Sequence, residues 1–190
     1  DISNLKIIDK IVSDSIKFSK EITGLVNNSG ERQREKFLDI NQKKLNHIFK
    51  NNYFNHFFLI QKIIKNKIIK KTNKLSIVNI GSIVGEKGFI ELSGYASTKK
   101  ALERLTKSLA VDFASKKIII NIIHPGFIKT SYYENFKKNK KKLYNWTLSK
   151  IPLGDWGEPK DISAMTFFLL SDKSKYITGQ SFCVDGGWTI

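Results

Sequence analysis

The run Leu75-Ser76-Ile77-Val78-Asn79-Ile80 reads as a buried strand, and together with the helix and strand after it this run constrains the fold more than any other stretch of the chain. Gly94 to Ala114 has helical period, with Leu102, Leu105, Leu109 and Phe113 in one apolar stripe, and Ile118 to Ile122 reads as a second strand. Strand, helix and strand at that spacing form the pattern of a parallel crossover. The alternation runs through the rest of the sequence. Leu5 to Phe18 is helical in period, Glu21 to Asn27 a strand and Gln42 to Lys67 a long helix. After a loop region come a helix over Pro159 to Leu170, with Pro159 suited to a first turn, and a strand over Ser181 to Val184. A parallel α/β fold is the expectation. The 190 residues, 41% of them hydrophobic, suffice for one domain, 1–190, with its own core, and no internal repeat or low-complexity linker marks a boundary.

A formal net charge of +16 raises the question of nucleic acid. Of the 33 basic residues only Arg32, Arg34 and Arg104 are arginine, the residue that reads bases with a bidentate fork, and the lysines are spread along the chain. That pattern describes a solvated surface, so no nucleic-acid partner is expected. Lys137 to Lys142 is the one compact patch, suited to attracting an anionic substrate or an acidic partner. The single cysteine, Cys183, excludes a disulfide framework within the chain and suits a reducing, cytoplasmic compartment; set in an apolar run, it is expected to be buried and inert. His47, His56 and His124 stand far apart without ligand-spaced partners, so no catalytic metal is expected. No stretch approaches the apolar length of a membrane span, and no membrane partner is expected.

Tyr95 and Lys99, four positions apart, share one face of their helix, and Ser82 follows a strand where a loop presents its hydroxyl. A cation beside a phenol favours the phenolate, moving a group that ionises near pH ~10 toward the range of a general acid or base. The three together are equipped to grip a carbonyl. Gly81, Gly85 and Gly88 imitate a phosphate-binding glycine pattern, but their spacing is wrong and no helix N-terminus opens on them.

At these residues the sequence resembles the short-chain dehydrogenase/reductase family, whose active site combines a Ser, a Tyr-x-x-x-Lys and a helix Asn. Leu25-Val26-Asn27-Asn28-Ser29-Gly30 is similar to the family's Asn-Asn-Ala-Gly signature, with Ser29 in the Ala place. Asn121-Ile122-Ile123-His124-Pro125-Gly126, followed by Thr130, is similar to its Asn-x-x-x-Pro-Gly segment. Thr178-Gly179-Gln180 and Val184-Asp185-Gly186-Gly187 are similar to its C-terminal strand. The likeness spans nearly the whole chain and implies a Rossmann-like doubly wound parallel sheet. It also implies hydride transfer between the nicotinamide of NAD or NADP and a small-molecule carbonyl or secondary alcohol.

By this resemblance Ser82, Tyr95, Lys99 and Asn52 are catalytic. Ser82 bonds the carbonyl oxygen, Tyr95 donates the proton in reduction, and Lys99 holds the ribose hydroxyls while lowering the phenol pKa. Asn52 best matches the family's helix asparagine, which supports a water leading from the lysine to bulk; Asn51 is one register away. A kinked helix would suit that role. Asn28, Pro125, Gly126, Ile128 and Thr130 join Tyr95 and Lys99 around the cofactor, with Asp1 approaching the adenine. On its own, Pro125-Gly126 reads as a plain turn. Tyr133 to Lys150 is a basic, aromatic segment suited to a lid, with Trp146 and Tyr144 either lining the pocket or packing the lid to the body. The stretch Glu86 to Leu92 differs from the Gly-Gln-Ala-Asn typical of 3-oxoacyl carrier-protein reductases, which argues against that substrate. Family members pair through two long helices, so a homodimer or homotetramer through Gln42 to Lys67 and Gly94 to Ala114 is implied.

The family's opening strand, Gly-rich turn and helix have no counterpart before Asn27. About sixty residues, the N-terminal βαβα portion, are missing relative to the family pattern at usual element lengths. The choice between NAD and NADP is made in that portion. Without it the strand ending at Asn27 is left as an apolar edge. The alternative function is therefore a truncated or degenerate relative that acts only in assembly with a partner.

Overall fold

A computed structural model describes residues 5–70, 74–131 and 133–190; the adenine contact expected of Asp1 lies outside them. Four parallel strands lie in the order β1 (Gly24–Asn27), β2 (Leu75–Ile80), β3 (Ile118–Pro125) and β4 (Ser181–Val184). β2 and β3 match in register from Leu75 opposite Ile118 to Ile80 opposite Ile123. Branched aliphatics occupy both faces of these strands because helices cover both. Leu75, Ile77, Ile118, Ile120 and Ile122 pack with helices α1 (Leu5–Ser19), α3 (Asn55–Lys70) and α4 (Ser93–Phe113). Val78, Ile80 and Ile123 take the other face, against Leu169 of helix α7 (Pro159–Leu170). Each such side chain, fully buried, contributes roughly 1.5–3 kcal/mol. The sheet is doubly wound, as expected.

Several boundaries differ from the sequence reading, each for a pairing reason. The first strand begins at Gly24 rather than Glu21, because its ladder with β2 starts where Gly24 meets Ser76. β3 runs on to Pro125, since β4 pairs along it as far as Val184. The long helix over Gln42 to Lys67 is broken: α2 (Gln42–Phe49), capped by the Asn41 side chain accepting from the Lys44 N–H, passes into a π-turn over Lys50–Phe54 before α3. The loop region after β3 contains two short helices, α5 (Tyr133–Asn139) and α6 (Lys141–Lys150). Cys183 is exposed, not buried: Phe182 and Val184 take the face under α7, which turns the intervening residue to the opposite side. β1 bonds only β2 and forms one edge of the sheet, with Val26 exposed. No helix among the described residues is long and apolar enough to cross a membrane.

Candidate active site

Parallel strands present their carboxyl ends on one side, where ligands of such sheets bind. There the loops close round a cleft of about 1390 Å³. Asn28 reaches it from the end of β1, Ser82 from β2, Pro125, Gly126, Ile128 and Thr130 from β3, and Tyr95 and Lys99 from the start of α4. The fold thus brings together eight residues singled out in the sequence. Asn52, a ninth, lies immediately behind the lining.

Lys99 points inward and donates to the Ile80 carbonyl at 2.9 Å. Burial pushes its amine down to about 8, leaving it charged at neutral pH. Its Nζ lies over the Tyr95 ring, 5.8 Å from the centroid. The phenol does not behave as the sequence suggested. Burial raises the Tyr95 pKa, and the hydrogen bond from Ser82 and the charge of Arg32 only partly offset it. Lys99 is engaged at the end of β2 and sits over the ring, so the spacing of four did not deliver a cation to the hydroxyl.

The π-turn explains which asparagine faces inward. Asn52 is fully buried, accepts from the Glu31 N–H at 2.8 Å, and donates to the Glu31 carbonyl at 2.8 Å and to Thr98 Oγ1 at 3.2 Å. Asn51 instead is half-buried, bonding the Glu31 carboxylate at 2.9 Å and His47 at 3.1 Å. Gly30 fits beside the pair: a Cβ there would stand 3.1 Å from Asn52 Oδ1 and 3.5 Å from Lys99 Nζ. Asn52→Ala is expected to lower stability by about 1–3 kcal/mol through these lost bonds, read by urea unfolding; unchanged stability would show that the Glu31 backbone is held without it.

Pro125-Gly126 is more than a turn. The Gly126 N–H donates to the Val184 carbonyl at 3.0 Å, and a Cβ at this position would fall 2.6 Å from Asp185 Cα, so only glycine lets the ends of β3 and β4 meet. The lid aromatics divide between their two uses. Trp146 lines the cleft and packs edge-on to Trp188 at 5.4 Å. Tyr144 is buried against Tyr133, Trp156 and Phe136 and fixes the lid to the body.

His124 was missed as part of the site. It is fully buried, with Nδ1 3.1 Å from the Ser82 nitrogen and 3.1 Å from its carbonyl oxygen, and Nε2 3.7 Å from a Glu86 oxygen. Burial lowers its pKa, so the ring is neutral at pH 7, and a proton on Nε2 facing Glu86 leaves Nδ1 to accept from the Ser82 N–H. No local pattern marked it: only the register of β2 with β3 sets the residue after Ile123 beside the loop after Ile80. Glu86, Glu103 and His124 offer ligand atoms within 4.8 Å of one another. Lys100 and Lys107 already engage the two carboxylates, Lys100 at 2.9 Å from Glu86 and 2.5 Å from Glu103, and Lys107 at 2.6 Å from Glu103. The trio is an ion-pair network with its charge balanced.

A doubly wound parallel sheet whose strand ends carry a cleft with two hydroxyls and an ammonium defines the class of Rossmann-type, nucleotide-dependent oxidoreductases. The chain matches the family model described as enoyl-(acyl carrier protein) reductase over residues 1–189. A tropinone reductase homolog of Arabidopsis thaliana is 36% identical over 96% of this chain and 68% of its own length. ElxO with NADP bound aligns at a TM-score of 0.91, with 29% identity, over 99% of this chain and 75% of that one. 4-Hydroxyisoleucine dehydrogenase complexed with NADH aligns at 0.88, with 30% identity, over 100% and 78%. The chain belongs to the short-chain dehydrogenase/reductase family, and its cofactor is NAD or NADP.

Proposed function

We propose that the protein transfers hydride between nicotinamide and the carbon of a carbonyl or secondary alcohol, with Ser82, Tyr95 and Lys99 managing the oxygen. The observation that carries this reading is the meeting of the Ser82 hydroxyl, the hydrogen-bonded Tyr95 phenol and the Lys99 ammonium in one cleft. Lys99 fits a cofactor ribose, because the ammonium has three donors and the Ile80 carbonyl takes one. Ile128 and Thr130, at the end of β3, would hold the carboxamide, and Asn28 would lie along the cofactor. When bound, the dinucleotide supplies or accepts the hydride.

The protein's part is to hold the oxygen and move a proton. Ser82 fixes the carbonyl oxygen and Tyr95 protonates it as the carbon is reduced. A raised phenol pKa keeps that proton in place at neutral pH, the form that acts as an acid when a carbonyl is reduced. Asn52, buried behind Lys99, would support the water that returns protons from bulk. The basic helices α5 and α6 would close over substrate. Exposed Val111 on α4 and Phe54 at the π-turn support a homodimer or homotetramer.

Titration calorimetry with NADH and then NADPH tests the reading. Saturable binding of one is expected, with loss of reduced-nicotinamide absorbance only when a carbonyl compound is added. Failure to bind either would overturn it in favour of a relative that acts only in assembly with a partner.

A further inference from the structure

The segment from Gly30 to Glu35 borders the cleft and is fixed at both ends. Asn52 holds the Glu31 N–H and carbonyl at 2.8 Å each, and the Glu35 N–H donates to the Glu91 carbonyl at 2.8 Å. Most polar side chains along it are engaged. Glu31 meets His47 at 2.8 Å, Gln33 meets Glu35 at 3.1 Å, Glu35 pairs with Lys44, and Arg34 lies 3.9 Å from Glu91. Arg32 is different: among the described residues no carboxylate lies within ion-pair distance of it. Its side chain lines the cleft with Ser82 and Tyr95, and its charge reaches the phenol. Among the described residues the only acid lining that cleft is Glu31, already taken by His47 and Asn51.

Resting on the hydride-transfer reading, we propose that the substrate is an oxo acid or the matching hydroxy acid, and that Arg32 holds its carboxylate. A guanidinium fork accepts a carboxylate through two parallel bonds, which fixes orientation as well as charge. Among the described residues Lys140 also lines the cleft without an ion-pair partner, but an ammonium is a point charge, whereas the planar fork of Arg32 matches the two oxygens of a carboxylate. Phe89 and Trp146, both packed on Trp188, give the cleft an apolar surface for the carbon chain. In reduction the carbonyl carbon gains a hydride and its oxygen a proton from Tyr95, the two electrons coming from the reduced nicotinamide. The carboxylate keeps its charge throughout, so Arg32 positions the substrate without entering the bond changes.

The test compares short-chain oxo acids, their methyl esters and oxo phosphates of similar length in the wild-type protein, Arg32→Gln and Arg32→Lys. The acids are expected to exceed the esters about 10²-fold in kcat/KM, the scale of a lost charge-assisted pair. In Arg32→Gln that preference should collapse toward unity, carried by KM, with Arg32→Lys recovering part of it and the cofactor Kd steady by calorimetry. Arg32 is exposed, and a thermal melt verifies that both variants fold. Esters turned over as well as acids, phosphates preferred to acids, equal loss on acids and esters in Arg32→Gln, or weakened cofactor binding would each overturn the assignment. Failure of the wild-type protein to bind cofactor in the same titration would instead overturn the hydride-transfer reading, and this one with it.

Discussion

Replacing Tyr95 with phenylalanine is expected to lower kcat by about 10²–10⁴, the usual contribution of a positioned acid or base, while cofactor affinity stays the same. The substitution removes one hydroxyl and keeps the ring. The aromatic face under the Lys99 ammonium is therefore retained, as is the lysine's bond to Ile80. What is lost is the proton and the phenol oxygen that accepts from Ser82. Steady-state turnover paired with calorimetric titration of NADH and NADPH separates the two. Equal turnover in the variant would remove Tyr95 from the role of proton donor.

Lys99→Met is expected to abolish most turnover and yet to stabilise the fold at neutral pH. The amine has an ordinary value of 10.5 and is lowered to about 8 by burial. Below about 8 the group is charged in both folded and unfolded chains, and the penalty for burying that charge is present in full. At ~1.4 kcal/mol per pH unit it is about 3 kcal/mol. Between about 8 and 10.5 the folded chain releases the proton first, so this group's contribution to stability rises with pH. Methionine removes the penalty and also the bond from the charged amine to the Ile80 carbonyl, worth about 1.5–3 kcal/mol. A net gain of up to about 2 kcal/mol at pH ~7, shrinking to nothing or reversing toward pH ~10, is the expected result. Urea unfolding of both proteins at the two pH values measures it. A variant less stable than the wild type at neutral pH would show that the folded protein solvates the ammonium well.

Strands and helices were legible because they rest on local pattern, and most of the cleft-lining residues because their motifs resemble those of a known family. The apolar runs at Leu75 and Ile118 had to be covered on both faces, and that alone orders the sheet. Motif spacing then set Ser82 past a strand end and Tyr95 with Lys99 at the start of α4. What was not legible depends on three-dimensional neighbours. The direction of the Tyr95 shift turned on burial outweighing charge. The exposure of Cys183 turned on which face α7 covers. His124 at Ser82 needed the register of two strands, and Arg32 stood out only once its neighbours were seen to be paired. The break at Asn52 carries no proline or glycine to announce it; the family resemblance alone suggested a kink there, and the burial of its amide against the Glu31 backbone accounts for it.

That break also sets a rule for how this sequence can drift. Each α-helical residue advances about 100° round the axis, so the residues before and after the π-turn are held in phase by their number as well as by their identity. Ile48, ahead of it, and Leu59, Ile60, Ile63 and Ile64, behind it, are all buried. Losing one residue between Lys50 and Phe54 can be absorbed by closing the π-turn into regular α-helix, which keeps both halves in phase but takes Asn52 away from the Glu31 backbone. Gaining one has no such outlet and would rotate one half against the other by more than a quarter turn, carrying one of those sets into solvent. Apart from Asn52, exchange of side chains is open in this stretch, but its length is not: insertions here should be among the least tolerated in the chain, while a single deletion should keep the fold and lose the placement of Asn52.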